Sequence, residues 1–255
     1  NIIGLGQAGC NVANEFSKFP QYEVFFIDTK NSNNYKNFLK IKEEKTHEKY
    51  EENYKPLNLK SIDGKTTIIF SGTGKITGVV LRLLQQLKDT DLSVLYIKPD
   101  MSTASEDDIL RESIVFGILQ QYARSNMFSR LYIASNALVE GIIDQVSIKK
   151  YWQDMNKVIS STFHMLNVFE NTEPVLSTFF EPGQTSKIST LGVVGYKSLS
   201  EKVFYELKKP RLKKYFFGIS EKTLNEEKDL LQKIRNYVKS KSKEGEERCS
   251  ACFAI

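Results

Sequence analysis

Two glycine-rich turns, each set between a short apolar run and a stretch of helical spacing, constrain this chain more than any other feature. In the first, Ile2-Ile3 leads into Gly4-Leu5-Gly6-Gln7-Ala8-Gly9-Cys10-Asn11, and Val12, Ala13 and Phe16 continue at helical spacing. In the second, Thr66-Thr67-Ile68-Ile69-Phe70 leads into Ser71-Gly72-Thr73-Gly74-Lys75-Ile76-Thr77-Gly78, followed by the apolar helix Val79 to Leu87. Strand, tight turn and helix in succession present backbone amides and the positive end of a helix to an anion. Glycine, lacking Cβ, lets a phosphate come close. The first turn lacks the Gly-Lys-Ser/Thr ending of a P-loop and spells Gly-x-Gly-x-x-Gly, a dinucleotide fingerprint that is weak alone. Its competing reading is a turn whose glycines serve only packing. Two such turns feeding two helices of one sheet are harder to explain that way.

The rest of the chain alternates in the same manner. Glu23 to Asp28, Leu92 to Ile97 and Ser129 to Ala134 are short apolar runs typical of buried parallel strands. A helix is expected from about Asp107 to Arg124, with Asp107 and Asp108 suiting its N-terminus. Residues 35–65 read as a short helix plus surface loop. A long helix is expected over Ser147 to Phe169, with Tyr151, Met155, Val158, Ile159, Phe163, Leu166 and Phe169 on one wide face. Trp152 and Asn156, four apart, are neighbours on that helix. Trp152 is either a core aromatic or a base-stacking ring beside an amide that can read a base edge. Beyond it, Lys187 to Val194 reads as one strand, Leu199 to Leu207 as helix and Lys214 to Ile219 as strand. Asn225 to Lys239 reads as an amphipathic helix, Lys239 to Arg248 as a loop and Arg248 to Ile255 as a strand. The expectation is an α/β fold: a parallel-sheet nucleotide-binding domain over 1–146, a long central helix over 147–170, and a smaller α+β domain over 171–255, with ligand loops at the carboxyl ends of the strands.

Composition narrows the class. The 255 residues suffice for one large or two small domains, and the net charge of +5 is modest. The lysines gather over Lys36–Lys60 and Lys208–Lys243 but mix with glutamates, so solvated surface is favoured over a nucleic-acid patch. No apolar run approaches the ~20 residues of a membrane span. No signal peptide is visible, and a cytoplasmic location is expected. Three cysteines, Cys10, Cys249 and Cys252, suggest a reducing compartment without a disulfide framework. One Cys-x-x-Cys pair and the isolated His47 and His164 fall short of the four ligands of a structural zinc site. The ending Cys252-Phe-Ala-Ile mimics a prenylation box, although the stretch reads more simply as a strand.

In their order, these signals resemble the tubulin/FtsZ superfamily. Gly6-Gln7-Ala8-Gly9 is similar to the tubulin form of the family's first nucleotide loop. Ser71-Gly72-Thr73-Gly74-Lys75 resembles its Gly-Gly-Gly-Thr-Gly-Ser/Thr-Gly signature. Ile97-Lys98-Pro99 resembles the entry to the ribose loop, and Ser135-Asn136 the Asn-bearing loop that follows. Met155 to Ser160 resembles the guanine-recognising segment of the central helix, and Trp152 falls where the family places a stacking aromatic. Each motif is weak; five at the matching places in the element order are not.

The resemblance implies binding of GTP or GDP, with or without Mg²⁺, and head-to-tail self-association. Gln7, Ala8 and Asn11 would line phosphates and nucleoside, with Gly6 and Gly9 allowing close approach. Gly72, Thr73, Gly74 and Lys75 would cradle the phosphates and Glu106 would meet the ribose. Asn136 and Asn156 would read guanine, with Trp152 stacked on it. Two departures stand out. Ser71, Lys75 and Ile76 replace small signature residues, so that Lys75 would either pair with phosphate or stand in for Mg²⁺. The family's hydrolytic acids, delivered to the neighbouring subunit, would fall at Val175 and Thr178, neither of which can polarise water as a carboxylate does. Glu173 or Glu181 would substitute only if that loop were shifted. Hydrolysis is therefore expected to be weak or absent. One alternative is a non-catalytic module of a larger assembly, such as a viral particle, with vestigial nucleotide binding. A weaker one is an NAD-dependent oxidoreductase, built on the first turn with Asp28 about 20 residues beyond it.

Overall fold

The computed structural model describes residues 1–31, 33–59, 61–143, 147, 149–172, 187–195, 198–208, 210–227, 229–243 and 248–254. Seven parallel strands form one sheet in the order β3-β2-β1-β4-β5-β6-β7. They are β1 (Ile2–Leu5), β2 (Val24–Asp28), β3 (Phe38–Lys40), β4 (Lys65–Ser71), β5 (Asp91–Lys98), β6 (Arg130–Ser135) and β7 (Ile188–Thr190). The strand order reverses direction between β1 and β4. Such a switch point separates the two loops at its carboxyl end and opens a crevice for a ligand.

Side chains along each strand alternate between two cores, as period-2 geometry requires. Ile3, Leu5, Ile68, Phe70, Val94, Tyr96, Leu131 and Ile133 face one side, with Val79 at the end of the 3₁₀ turn Lys75–Val79 and Val80, Leu83, Val115 and Leu119 from the covering helices. Those helices are α2 (His47–Glu52), α3 (Val80–Gln86) and α4 (Glu106–Arg124). Ile2, Phe26, Ile69, Leu95, Ile97, Tyr132 and Ala134 face the other side. There they meet Val12, Ala13 and Phe16 of α1 (Gly6–Phe16), Val139 of α5 (Asn136–Glu140), and Met155, Ile159 and Phe163 of α6 (Tyr151–Glu170). Burial on both faces explains why the strands read as nearly continuous apolar runs.

The helix α6 runs antiparallel to the strands. Its carboxyl end is tied to the amino end of β4, where Lys65 Nζ donates to Asn171 Oδ1 at 3.4 Å. Its amino end lies beside α5, directly after β6. Phe16 of α1 meets Phe163 edge-on, and His164 stacks on Phe19 at 3.8 Å while sharing a 2.9 Å hydrogen bond with the Tyr22 hydroxyl.

Past the sheet, β8 (Gly192–Val194) and β9 (Glu201–Val203) form an antiparallel hairpin. β10 (Leu212–Gly218) and β11 (Arg248–Ala254) pair in parallel. Tyr215, Phe217 and Ile219 pack on Leu230, Ile234 and Val238 of α8 (Leu230–Lys243), which follows α7 (Glu221–Glu226). Four expectations need correction. Leu191 interrupts the expected strand Lys187–Val194, leaving β7 in the large sheet and β8 in the hairpin. Residues 199–207 contain strand β9 rather than a helix, because the Leu191 carbonyl accepts from Phe204 N at 2.8 Å and the Ser135 amide donates to the Phe204 carbonyl at 2.7 Å. The Asn225 helix is two helices, and the second continues to Lys243, so the charged stretch after Lys239 begins helical. Finally, residues 35–65 hold an edge strand, β3, besides their short helix.

α1 sits unusually close to the sheet, as glycine permits. A Cβ on Gly9 would lie 2.1 Å from the Ile69 carbonyl oxygen and 3.2 Å from Phe70 Cα. Backbone cannot yield cheaply there, so Gly9→Ala should destabilise the protein by about 2–4 kcal/mol. Gly117, inside α4, has nothing within 4 Å of its virtual Cβ. Gly117→Ala should stabilise by roughly 0.5–1 kcal/mol through helix propensity. Urea denaturation of both variants checks the pair; a Gly9→Ala protein as stable as wild type would refute the close approach. Burial lowers the basicity of both His164 and His47, so each takes up a proton more readily unfolded than folded. Their contribution to stability should be complete above about pH 6.5 and be lost as pH falls from there towards the depressed folded values. Replacing both by Gln should flatten that step in a pH series of denaturation midpoints.

Candidate functional site

The carboxyl edge of the sheet gathers nearly all the chemistry the sequence singled out. Gly6 opens α1 in the left-handed region, at φ +67°, and a Cβ there would approach Ile76 Cγ2 at 2.9 Å. Ile76 itself is 9 % exposed. The two turns are thus packed on each other at the switch point, with Ile76 as the contact between them. Gln7 and Ala8 are exposed on the first turn of α1, and Asn11 is half-buried one turn on. That first turn has no side-chain cap and no acidic residue. Its free amides and dipole favour an anion.

The second turn rests on α4. Gly72 is buried; a Cβ on it would meet the Tyr96 hydroxyl at 2.1 Å and Glu112 Cγ at 3.3 Å. Tyr96 Oη donates to Glu112 Oε1 at 3.2 Å, and Lys98 Nζ donates to the same oxygen while lying 4.6 Å from the Phe116 ring centre. Burial, reinforced by the Glu112 charge, pushes the Tyr96 phenol well up, so it stays a donor. Arg111 Nε donates to the Thr73 carbonyl at 3.2 Å, and its guanidinium also binds Asp108. The Thr77 hydroxyl closes the turn on the Gly74 carbonyl at 2.7 Å. Thr73 is half-buried, whereas Gly74 and Lys75 are exposed. Lys75 has no ion pair among the described residues.

The remaining expected residues occupy the same edge. Asn136 is half-buried as the first residue of α5, immediately after β6. Trp152 is 62 % exposed in the first turn of α6, edge-on to Tyr151 at 5.0 Å, and Asn156 is half-buried one turn later. The Tyr151 phenol is raised by burial and by its hydrogen bond to Glu140, the last residue of α5. Trp152 is therefore not a core aromatic; its exposed ring and the Asn156 amide lie on the α1 side of the switch point. Glu106 opens α4 on the other side, exposed just beyond its cap Ser105. Asp28 ends β2 on this edge too. Burial raises its carboxyl, and its Oδ1 accepts the amide of its neighbour Thr29 at 2.7 Å. Burial likewise pushes the Cys10 thiol up to about 12, as suits an inert packing residue. The stretch 173–179, with Val175 and Thr178, and Glu181 lie outside the described residues, as do the side chains of Cys249 and Cys252.

Arg111 and Glu112 belong to the site, although the sequence alone did not single them out; Lys98, part of the Ile97-Lys98-Pro99 stretch, joins them as the partner of Glu112. A signal existed for Glu112. It precedes Val115, Leu119 and Ala123 at helical spacing, so an acid occupies the buried stripe of α4 and requires partners. Two cavities, of about 780 and 290 Å³, lie at the opposite, amino edge of the sheet. The first is bounded by Leu57, Ile62 and Gln86; the second lies between Thr67, Ser93 and Phe163.

Neither the family models nor the curated proteins compared match the sequence. Solved structures do match. The empty dimer of FtsZ from M. jannaschii superimposes with a TM-score of 0.67 over 100 % of this chain and 83 % of that one, at 11 % identity. A point mutant of FtsZ from the same organism gives 0.64 over 99 % and 84 %, at 10 % identity. With its parallel sheet, paired glycine turns and long antiparallel helix, this chain has a tubulin/FtsZ-like fold.

Proposed function

We propose that the chain binds a guanine nucleotide, GTP or GDP, at the carboxyl edge of its sheet, and that copies associate head-to-tail. The reading rests above all on one juxtaposition. Two glycine turns meet at the switch point, and the same edge carries an exposed Trp152 with Asn156 one turn away. The phosphates would lie across the uncapped first turn of α1 and against Thr73, Gly74 and Lys75. The base would lie on the α1 side, stacked on Trp152, with Asn136, Asn156 and Asn11 offering amides to its edge. Glu106, across the switch point, would meet the ribose. A surface tryptophan with a polar neighbour is a stacking platform for a base.

Self-association is supported by the dimeric state of one similar FtsZ structure. A head-to-tail contact that does not close gives a filament. Hydrolysis would be weak or absent, because Val175 and Thr178 stand where acids would be needed. A cytoplasmic location accords with this reading, and none of the described helices is long and apolar enough to cross a membrane. The second reading, a structural module within a larger assembly such as a viral particle, draws on the replacement of small signature residues by Ser71, Lys75 and Ile76.

Trp152→Ala should weaken nucleotide binding about tenfold or more, the scale of one base–aromatic stack. Asn156→Ala should narrow the preference for GTP over ATP, since it removes edge contacts and leaves the stack. Equilibrium dialysis measures both, and light scattering follows assembly. Wild-type protein that binds no GTP at millimolar concentration refutes the nucleotide reading, whereas nucleotide-free assembly unchanged in Trp152→Ala favours the structural module.

A further inference from the structure

We infer that, on the nucleotide reading above, Lys75 takes the place of a divalent cation, so that the chain binds guanosine polyphosphate without Mg²⁺. A Mg²⁺ ion requires near-octahedral oxygen ligands, usually a carboxylate or hydroxyl from the protein together with phosphates and water. The residues of the second turn and those packed against it offer such an ion no uncommitted carboxylate; the exposed acids Glu106 and Asp107 stand at the start of α4, where Glu106 is assigned to the ribose. The Thr77 hydroxyl is buried and donates to the Gly74 carbonyl at 2.7 Å. Asp108 is held by Ser105 and Arg111. Glu112 is committed to Tyr96 and Lys98 behind Gly72. Asp28, at the end of β2, turns onto the Thr29 amide. Thr73 supplies at most one hydroxyl. Among the described residues no three His, Cys, Asp or Glu side chains come together as a metal-ligand group.

The same inventory isolates Lys75. Lys98 and Arg111, the other cations beside the second turn, are neutralised by Glu112 and Asp108. Lys75 is exposed and has no ion pair among the described residues. It lies one residue from Ile76, the side chain that packs over Gly6 where the two turns meet. A compact ammonium on a flexible four-carbon stem, placed at that contact, can reach phosphate oxygens at either turn. A tethered ammonium loses no affinity to chelation, and its partner is any phosphate group, with or without a bound metal.

Equilibrium dialysis of the full chain with GTP, in MgCl₂ and in EDTA, tests this, with Lys75→Ser, Lys75→Arg and guanosine as controls. Wild-type affinity should agree within about twofold between the two buffers. Lys75→Ser should lose roughly tenfold or more in EDTA, the scale of one charge-assisted hydrogen bond, and recover part of it in MgCl₂. Lys75→Arg should retain most of the binding. Guanosine, which lacks phosphate, should bind wild type and Lys75→Ser equally; a merely structural role for Lys75 would weaken both ligands. Wild-type binding that falls tenfold in EDTA, or Lys75→Ser binding equal to wild type in EDTA, overturns the inference and leaves the nucleotide reading standing. No binding of GTP in either buffer overturns both.

Discussion

Everything at the carboxyl edge depends on how closely α1 lies against β1 and β4. That distance is set by atoms that are missing. A Cβ on Gly4 would fall 2.7 Å from Cys10 Cα and 2.8 Å from the Ala13 methyl, and one on Gly9 would strike the backbone of β4. With neither present, the helix backbone packs directly on the switch point. Its first turn then emerges level with the strand ends, and Gly6 can take the left-handed turn that aims its amides outwards. Phe16, at the far end of α1, carries the constraint onward by meeting Phe163, which fixes α6 against the same face. Together with the buried Met155 and Ile159 nearer its start, that contact sets where the exposed Trp152 stands at the amino end of α6.

This close packing changes what the glycines mean. Gly4, Gly9 and Gly78 are required by helix-to-strand or helix-to-helix contact, with Gly78 pressed on the His47 carbonyl of α2 at a virtual 2.0 Å. None of the three requires a ligand. The case for a nucleotide shifts from the glycines to what surrounds them: an uncapped helix end without acids, an exposed lysine at the junction with no ion pair among the described residues, and an aromatic ring left in solvent. An exposed tryptophan costs a protein the burial of its largest side chain. That cost is readily understood if a ligand covers the ring.

The fold was largely legible in the sequence because two-sided burial writes itself into strands as continuous apolar runs, and β1, β2, β4, β5 and β6 all show it. Where burial is partial the signal fades. β3 and β9 are three residues each and hold only half-buried or exposed side chains, so nothing in their composition separates them from loop. Leu191, apolar within an apolar run, reads as mid-strand, yet its carbonyl turns to Phe204 and thereby divides β7 from β8. Within the site, Gly72, Thr73, Trp152 and Asn156 stand out by residue type and spacing, whereas Asn136 enters only through the family resemblance. The support behind them did not, because Arg111 and Glu112 act across 38 and 40 residues of chain, and no local period reports a contact of that separation.

That support has its own consequence for the second turn. The buried Tyr96 and Glu112 and the half-buried Lys98 form a hydrogen-bonded cluster whose phenol is the floor under Gly72, and Arg111 holds the Thr73 carbonyl from the side. A charge pair in such a place offers little net stability, since desolvation consumes most of what attraction returns. What it offers is a fixed geometry. Charged groups with several directional partners have few alternative arrangements, whereas an apolar floor would let the turn slide. A turn that carries Ser71, Lys75 and Ile76 beside its glycines cannot rely on backbone shape alone to present its amides. In this chain α4 supplies that rigidity from behind, and it does so with cations already neutralised. Among the described residues, the cation left facing solvent at the turn is Lys75.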